Sequence, residues 1–348
     1  MRAARYHGPG DVRVEDVPEP SAGPGEVLLR IRACSTCGTD AKAYRFGHHQ
    51  MDPPVVMGHE IAGEVVEVGA GVDEWSPGDR VECIAALPCG ECHECRHGWR
   101  NICTNLRTIG FEYDGAMAEL MTVPQRAMLA GGLHRVPDNV SFVEASVAEP
   151  LACAINAQDL ARVGETEGET VVVFGPGPIG ALHVRLARAR GAAKVVLIGR
   201  RRPRLDMTVE RVHPDLAVVS EETDPVEAVL ELTGGRGADV VITAAGSGQA
   251  QEQAVEMAAR RGRISLFGGL PRDNPTITLD SNKVHYRELT IVGASASVPE
   301  QHGRALEMIG SGAIPVADLV THRLPLERAI EGIETVISGD GIKVTIEP

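Results

Sequence analysis

Apolar residues fall in two different rhythms along the chain. Up to about Val140 they come in short runs broken by glycine and proline. Val27-Leu28-Leu29-Arg30-Ile31-Arg32 partly alternates and reads as a strand with one buried face. Val65-Val66-Glu67-Val68 is a second such run, and the turn Pro77-Gly78-Asp79-Arg80 leads into a third at Val81. The pattern predicts a partly open, barrel-like β domain. From about Cys153 the rhythm changes. Fully apolar runs, Thr170-Val171-Val172-Val173-Phe174 and Val195-Val196-Leu197-Ile198, alternate with helical stretches, as expected for a parallel sheet covered on both faces. Further strands are predicted at 239–243, 262–267 and 289–293. Helices are predicted from the Ser141–Glu144 capping box, from Glu149-Pro150 to Leu160, from Pro178 to Arg190, and over 300–309. The fold class is therefore α/β, with a β-rich domain and a doubly wound parallel sheet.

At 348 residues the chain is long enough for two domains. Aromatic residues make up only 3%, so Val, Ile, Leu and Ala must build the cores. A net charge of −14 argues against nucleic acid or an anionic membrane as a main partner. No basic segment followed by an apolar run opens the chain, and no apolar run could span a membrane, so a cytoplasmic protein is expected. In a reducing compartment, clustered cysteines point to metal rather than disulfides.

Two clusters carry metal-ligand chemistry. Cys89, Cys92, Cys95 and Cys103 have the spacing C-x2-C-x2-C-x7-C. Four thiolates there would close a tetrahedral zinc site and hold a lobe, about 83–107, that is poor in apolar residues. Disulfides or free thiols are the alternatives. The lobe carries little basic charge beyond Arg96, Arg100 and Arg107, which disfavours a nucleic-acid role. The second cluster is Gly58-His59-Glu60, with Cys37 upstream and Glu149 downstream. If folding gathers them, sulfur, nitrogen and oxygen ligands suit zinc; the alternative is a buried histidine beside a surface glutamate. In the second domain, Gly175-Pro176-Gly177-Pro178-Ile179-Gly180 spells G-x-G-x-x-G between a strand and a helix, with a second strand at βαβ spacing. That context predicts a dinucleotide whose pyrophosphate meets a helix N-terminus. Gly246, Gly268, Gly269 and Leu270 follow later strands and are expected to approach the same cofactor.

These motifs, in this order, resemble the zinc-dependent medium-chain alcohol and polyol dehydrogenases over essentially the full length. The match rests on Cys37-Gly38-Thr39-Asp40, on G-H-E-x2-G-x5-G over 58–69, on the four-cysteine lobe and on the dinucleotide fingerprint. The resemblance implies a GroES-like catalytic domain over 1–152, a Rossmann domain over 153–293 and a C-terminal segment, 294–348, returning to the first domain. It implies two zinc ions per chain and a homodimer or homotetramer. Cys37 and His59 map onto catalytic ligands. Glu149 stands where simple alcohol dehydrogenases place a cysteine, and the sorbitol dehydrogenase-like branch has a glutamate there. In that branch Glu60 is the competing direct ligand, so both remain candidates.

The implied reaction moves a hydride between a carbinol carbon and a nicotinamide. Thr39 matches the hydroxyl of the family's proton relay, and Asp40 is expected to orient its loop. Lys42 replaces a histidine common in relatives, leaving Lys42, His48 or solvent for the outer relay. NAD enzymes end the second strand with an acidic residue; here Gly199 stands there, followed by Arg200 and Arg201, which predicts NADP(H) over NAD(H). The polar stretch Tyr44–Met51 suggests a polyhydroxylated alcohol or ketone: a polyol, sugar or cyclitol. The loop 294–297 lacks the arginine of the sorbitol-like branch, which argues against sorbitol itself. An amino-alcohol dehydrogenase of the threonine type is the alternative within enzymes. A nucleotide-sensing protein without catalysis is the alternative from another class.

Overall fold

The computed structural model describes residues 1–348, which divide into two compact units: Met1–Ala152 with Ala296–Pro348, and Cys153–Ser295. The first is organised on the strand Val27–Ser35. Leu29, Ile31 and Ala33 point into the core while Arg30 and Arg32 face solvent, the alternation of a one-sided strand. Glu60–Val68 pairs antiparallel on one side of it and Lys343–Glu347 on the other. Arg80–Cys83 and Leu133–Arg135 extend the sheet one way, and Val320–Pro325 extends it the other. Leu120–Val123 also pairs with the central strand. Strands near the C-terminus thus share a sheet with strands near the N-terminus. The core beneath is aliphatic, with Ile31, Ile61, Met117 and Val344 among its buried side chains.

Two strands run further than their local patterns predict. The strand expected at 27–32 continues to Ser35, and the one expected at 65–68 begins at Glu60. Partners distant in sequence decide both extents: Cys34 and Ser35 pair with Ile61 and Glu60, and also with Ile346 and Thr345. Tertiary pairing overrides local composition here. The consequence is functional, because Glu60 becomes the first residue of a rigid strand and His59 the residue just before it.

The second unit is a six-stranded parallel sheet. Its order is Leu216–Val219, Lys194–Gly199, Thr170–Phe174, Ala238–Thr243, Ala258–Leu266 and Thr290–Gly293. Val171, Val172 and Val173 are fully buried because helices cover both faces of a central parallel strand. The order reverses on either side of Thr170–Phe174, which makes its carboxyl end the switch point of a Rossmann fold. No helix in the chain is long and apolar enough to cross a membrane.

Candidate zinc and cofactor sites

The first site starts where the central strand of the first unit ends. Thr36 closes the strand by donating to Val344 O at 2.8 Å, and Cys37 then caps the helix Gly38–Phe46. Asp40, in the first turn of that helix, is fully buried. Its Oδ2 accepts from the Cys37 backbone N–H at 2.8 Å, and its Oδ1 lies 3.2 Å from His59 Nδ1. One carboxylate thus fixes the backbone of Cys37 and engages one nitrogen of His59. Nε2 is the ring nitrogen that Asp40 leaves uncommitted.

One ligand atom each of Cys37, His59 and Glu60 lies within 4.8 Å of the others. A thiolate, an imidazole and a carboxylate at this spacing fit zinc, and three protein ligands leave a position open. Burial disfavours a charged His59, but the Asp40 carboxylate and the Cys37 thiolate outweigh it and hold its pKa well above the usual range. Burial also pushes the Glu60 carboxyl up to about 7, against the pull of Lys343. A bound cation would reverse both tendencies by favouring neutral imidazole and ionised carboxylate.

Lys343 is one of the site residues that the sequence pattern does not reveal. It lies in the strand Lys343–Glu347, only 2% exposed, with its ammonium against Glu60 Oε2 and donating to Thr36 O at 3.0 Å. Burial works against its charge, yet Glu60, Cys37 and Glu149 together keep the ammonium protonated. Its local signal is a lysine inside the apolar run Ile342–Ile346, which does not reveal the carboxylate it meets.

Glu149 lies in the first turn of the helix Ala148–Leu160, half-buried and outside the 4.8 Å set. It is close enough for its charge to raise the pKa of Glu60. A buried chain of hydroxyls steadies this neighbourhood. Ser35 Oγ lies 2.7 Å from both Ser146 Oγ and Thr345 Oγ1, tying the central strand to the segment before Glu149 and to the strand of Lys343.

Thr39 Oγ1 lies 3.6 Å from Cys37 Sγ. Lys42 is exposed on the same helix. His48 stacks on Phe111 with ring centres 4.6 Å apart, and Phe111 lies 5.7 Å from the His59 ring. Phe111 is buried and forms an apolar wall beside His59. The only hint in sequence is that it is one of five phenylalanines.

The second metal cluster is the cysteine lobe. The Sγ atoms of Cys89 and Cys95 are 4.0 Å apart and those of Cys92 and Cys103 are 3.6 Å apart, all four lying within 4.8 Å of one another. Tetrahedral zinc with Zn–S near 2.3 Å requires S···S of about 3.8 Å, so the thiols already stand at the spacing the metal needs. Backbone N–H groups aim at the sulfurs: Cys92 N at Cys89 Sγ (3.4 Å), Cys95 N at Cys92 Sγ (3.5 Å) and Cys89 N at Cys103 Sγ (3.3 Å). N–H groups of Glu91 and Cys92 pull the Cys89 thiol down to about 6, while burial pushes Cys95 up to about 12 and Cys103 also upward, so Cys89 is the thiol most readily ionised of these three. Four sulfurs would leave no open position on a metal held here, the donor set of a structural rather than a catalytic ion.

In the second unit the fingerprint forms a tight turn between the strand Thr170–Phe174 and the helix Pro178–Ala189. Gly175 has φ +104°, and a Cβ at Gly180 would stand 1.8 Å from Gly175 O, so both positions exclude a side chain. Gly177 caps the helix and Pro178 opens it, leaving N–H groups for an anion. Thr208 Oγ1 donates to Pro176 O at 2.8 Å and braces the turn. An Arg204 guanidinium nitrogen lies 3.5 Å from where a Gly177 Cβ would be, a cation at the loop that sequence reasoning did not single out. Gly199 ends the neighbouring strand, followed by exposed Arg200 and Arg201. Gly246, and Gly268 with Gly269 and Leu270, follow the ends of two further strands, where Gln251 Nε2 donates to Gly268 O at 3.0 Å.

Comparison with known proteins matches residues 23–138 to the alcohol dehydrogenase GroES-like domain and 178–311 to the zinc-binding dehydrogenase domain. A sorbitol dehydrogenase of Halalkalibacterium halodurans is 32% identical over 98% of this chain and 97% of its own length. An L-threonine 3-dehydrogenase of Bacillus licheniformis is 34% identical over 96% of this chain and 94% of its own. Among solved structures, a zinc-binding dehydrogenase of Sinorhizobium meliloti bound to NADP superposes with a TM-score of 0.92 at 32% identity, covering 100% of this chain and 99% of that one.

Proposed function

From the premise that the chain belongs to the zinc-dependent medium-chain alcohol and polyol dehydrogenases, we propose that it interconverts a secondary alcohol and a ketone on a polyhydroxylated substrate with NADP(H). The observation that carries the reading is the convergence of Cys37, His59 and Glu60 within 4.8 Å. When bound, zinc supplies Lewis acidity and the nicotinamide supplies or accepts the hydride. Cys37, His59 and a carboxylate, Glu60 or Glu149, would hold the metal, and Cys89, Cys92, Cys95 and Cys103 would hold a second, structural ion.

The chain's own residues do the rest. Asp40 presets the two ligands by fixing Cys37 N and engaging His59 Nδ1. Lys343 balances the buried charge of Glu60, so the carboxylate can stay ionised beside the thiolate. Thr39, 3.6 Å from Cys37 Sγ, stands beside the ligand set, where its hydroxyl would take the proton of a substrate hydroxyl as it gives up its own. From there the half-buried His48 or solvent carries it outward, and the exposed Lys42 adds a cation at the outer edge. Phe111 gives the substrate one apolar wall, whereas the 44–50 segment opposite in character offers mostly hydrogen-bonding groups. Hydroxyl-bearing carbons next to the reacting one suit that mixture.

NADP(H) is supported by a strand end without a carboxylate at Gly199 and with two guanidinium groups after it. The Sinorhizobium relative, solved with NADP, is consistent with this choice. The threonine-type reading has its own support: an L-threonine 3-dehydrogenase matches as well as the sorbitol enzyme, and Glu149 could hold a substrate ammonium. A panel of polyols, cyclitols and amino alcohols, followed at the nicotinamide absorbance with NADP and NAD in parallel, tests both. The proposal expects turnover of a polyhydroxylated alcohol and preference for NADP. Turnover of amino alcohols alone selects the threonine-type reading, and no turnover by a fully zinc-loaded chain rejects both. Replacing Arg200 and Arg201 together by alanine is expected to lower kcat/KM for NADP by about tenfold or more, with NAD little changed.

A further inference from the structure

The two arginines at the cofactor-selecting strand end share a counter-ion. Arg200 Nε lies 3.7 Å and Arg201 Nε 3.5 Å from the same atom, Glu221 Oε1. Arg202 pairs separately with Glu222, its Nε at 3.3 Å and its second nitrogen closer. Glu221 belongs to the turn after the adjacent strand, Leu216–Val219. That turn is locked to the site: Ser220 N donates to Gly199 O at 2.9 Å, and Glu222 N and Thr223 N donate to Val219 O at 2.9 and 3.0 Å. The carboxylate absent from position 199 is thus supplied by the neighbouring strand. A side chain at 199 would crowd its neighbours, because a Cβ there would stand 2.9 Å from Pro176 Cγ and 3.1 Å from Leu205 Cβ.

We propose that Glu221 is a specificity-determining residue, which sets how strongly the chain separates nucleotides with a 2′-phosphate from those without one. The inference rests on the NADP(H) reading of Arg200 and Arg201. Glu221 and both arginines are more than half exposed, so their pairing adds little to stability. Its effect falls on the ligand instead. A 2′-phosphate, carrying close to two negative charges, must take Arg200 and Arg201 away from Glu221 and then sit beside that carboxylate. A ribose 2′-hydroxyl is uncharged and makes no such exchange. Glu221 therefore weakens the phosphorylated nucleotide selectively and keeps the site from excluding the other.

The test is calorimetric titration of the full chain, wild type and Glu221→Gln, with 2′,5′-ADP and 5′-ADP as probes. The variant is expected to bind 2′,5′-ADP about three- to tenfold more tightly and 5′-ADP within about twofold of wild type, the gain shrinking as salt screens it. Unchanged or weaker binding of 2′,5′-ADP overturns the proposal. So does a loss of 5′-ADP affinity of similar size, which would make Glu221 a ribose ligand. The wild type's own preference between the probes judges the NADP(H) reading separately. A wild type favouring 5′-ADP rejects that reading, while the ratio of variant to wild type still decides the role of Glu221.

Discussion

Asp40 and Lys343 touch the ligand residues without belonging to the ligand set, and each acts through a different physical term. Asp40 works by orientation. With Asp40→Asn the backbone contact to Cys37 can survive, but the charge opposite His59 Nδ1 is lost. Zinc affinity at the Cys37–His59 site is expected to fall about 10- to 100-fold, as measured by competition with a chromophoric chelator, while zinc in the cysteine lobe is retained. Lys343 works by charge balance. Lys343→Met leaves Glu60 buried without its cation and is expected to cost about 3–5 kcal/mol in denaturant unfolding, whereas Lys343→Arg should recover most of it. An equal loss in both variants would mean that packing, not charge, is what the position supplies. Cys37 and His59 are legible in sequence because short motifs surround them. Lys343 and Phe111 are not, since each meets its partner only through long-range folding and neither type is diagnostic of a site. Asp40 is expected from sequence to orient a loop, whereas it lies in the first turn of the helix Gly38–Phe46, and its reach to His59 depends on where a strand begins.

That dependence belongs to the scale of elements. The switch from broken apolar runs to fully apolar ones near Cys153 announces the parallel sheet, and every strand expected there from 170 onward is present. In the first unit, by contrast, the strand leading to Cys37 and the strand opening at Glu60 take their extents from each other and from the C-terminal strand. Local pattern underestimates both, because Ala33-Cys34-Ser35 and Glu60-Ile61-Ala62-Gly63 have weak strand character without their partners. The cysteine lobe is the opposite case: spacing alone made it readable, because four thiols define a site with few folding contacts. Few apolar side chains hold that lobe, so its order should depend on metal. Cys95→Ser is expected to lower bound zinc from two ions per chain to one, measured by plasma mass spectrometry, and to open the 89–105 segment to limited proteolysis. Retention of two ions and full protease resistance would show that the lobe folds without its fourth thiolate.

For the molecule as a whole, the two units have separate cores and therefore separate vulnerabilities. His183, on the helix Pro178–Ala189, is buried in the second unit, with Nδ1 3.3 Å from Gln158 Nε2 and its ring edge-on to Phe267. Desolvation, reinforced by Arg190, pulls its pKa down to about 3 from an ordinary 6.5. Between these values the unfolded chain binds a proton that the folded chain refuses, so stability rises with pH across the window and is lost as pH falls below 6.5. At about 1.4 kcal/mol per pH unit, the loss approaches several kcal/mol near pH 4. His183→Asn keeps an acceptor for Gln158 and has nothing to protonate. The gap in stability between wild type and variant at pH 7.5 is therefore expected to narrow or reverse by pH 4.5. The units can be read apart, because both tryptophans, Trp75 and Trp99, lie in the first. His183→Asn should delay the acid-induced loss of far-ultraviolet circular dichroism more than it delays the shift in tryptophan emission. If emission and circular dichroism move together in both proteins, with midpoints unaffected by the substitution, His183 is not what makes the second unit acid-sensitive.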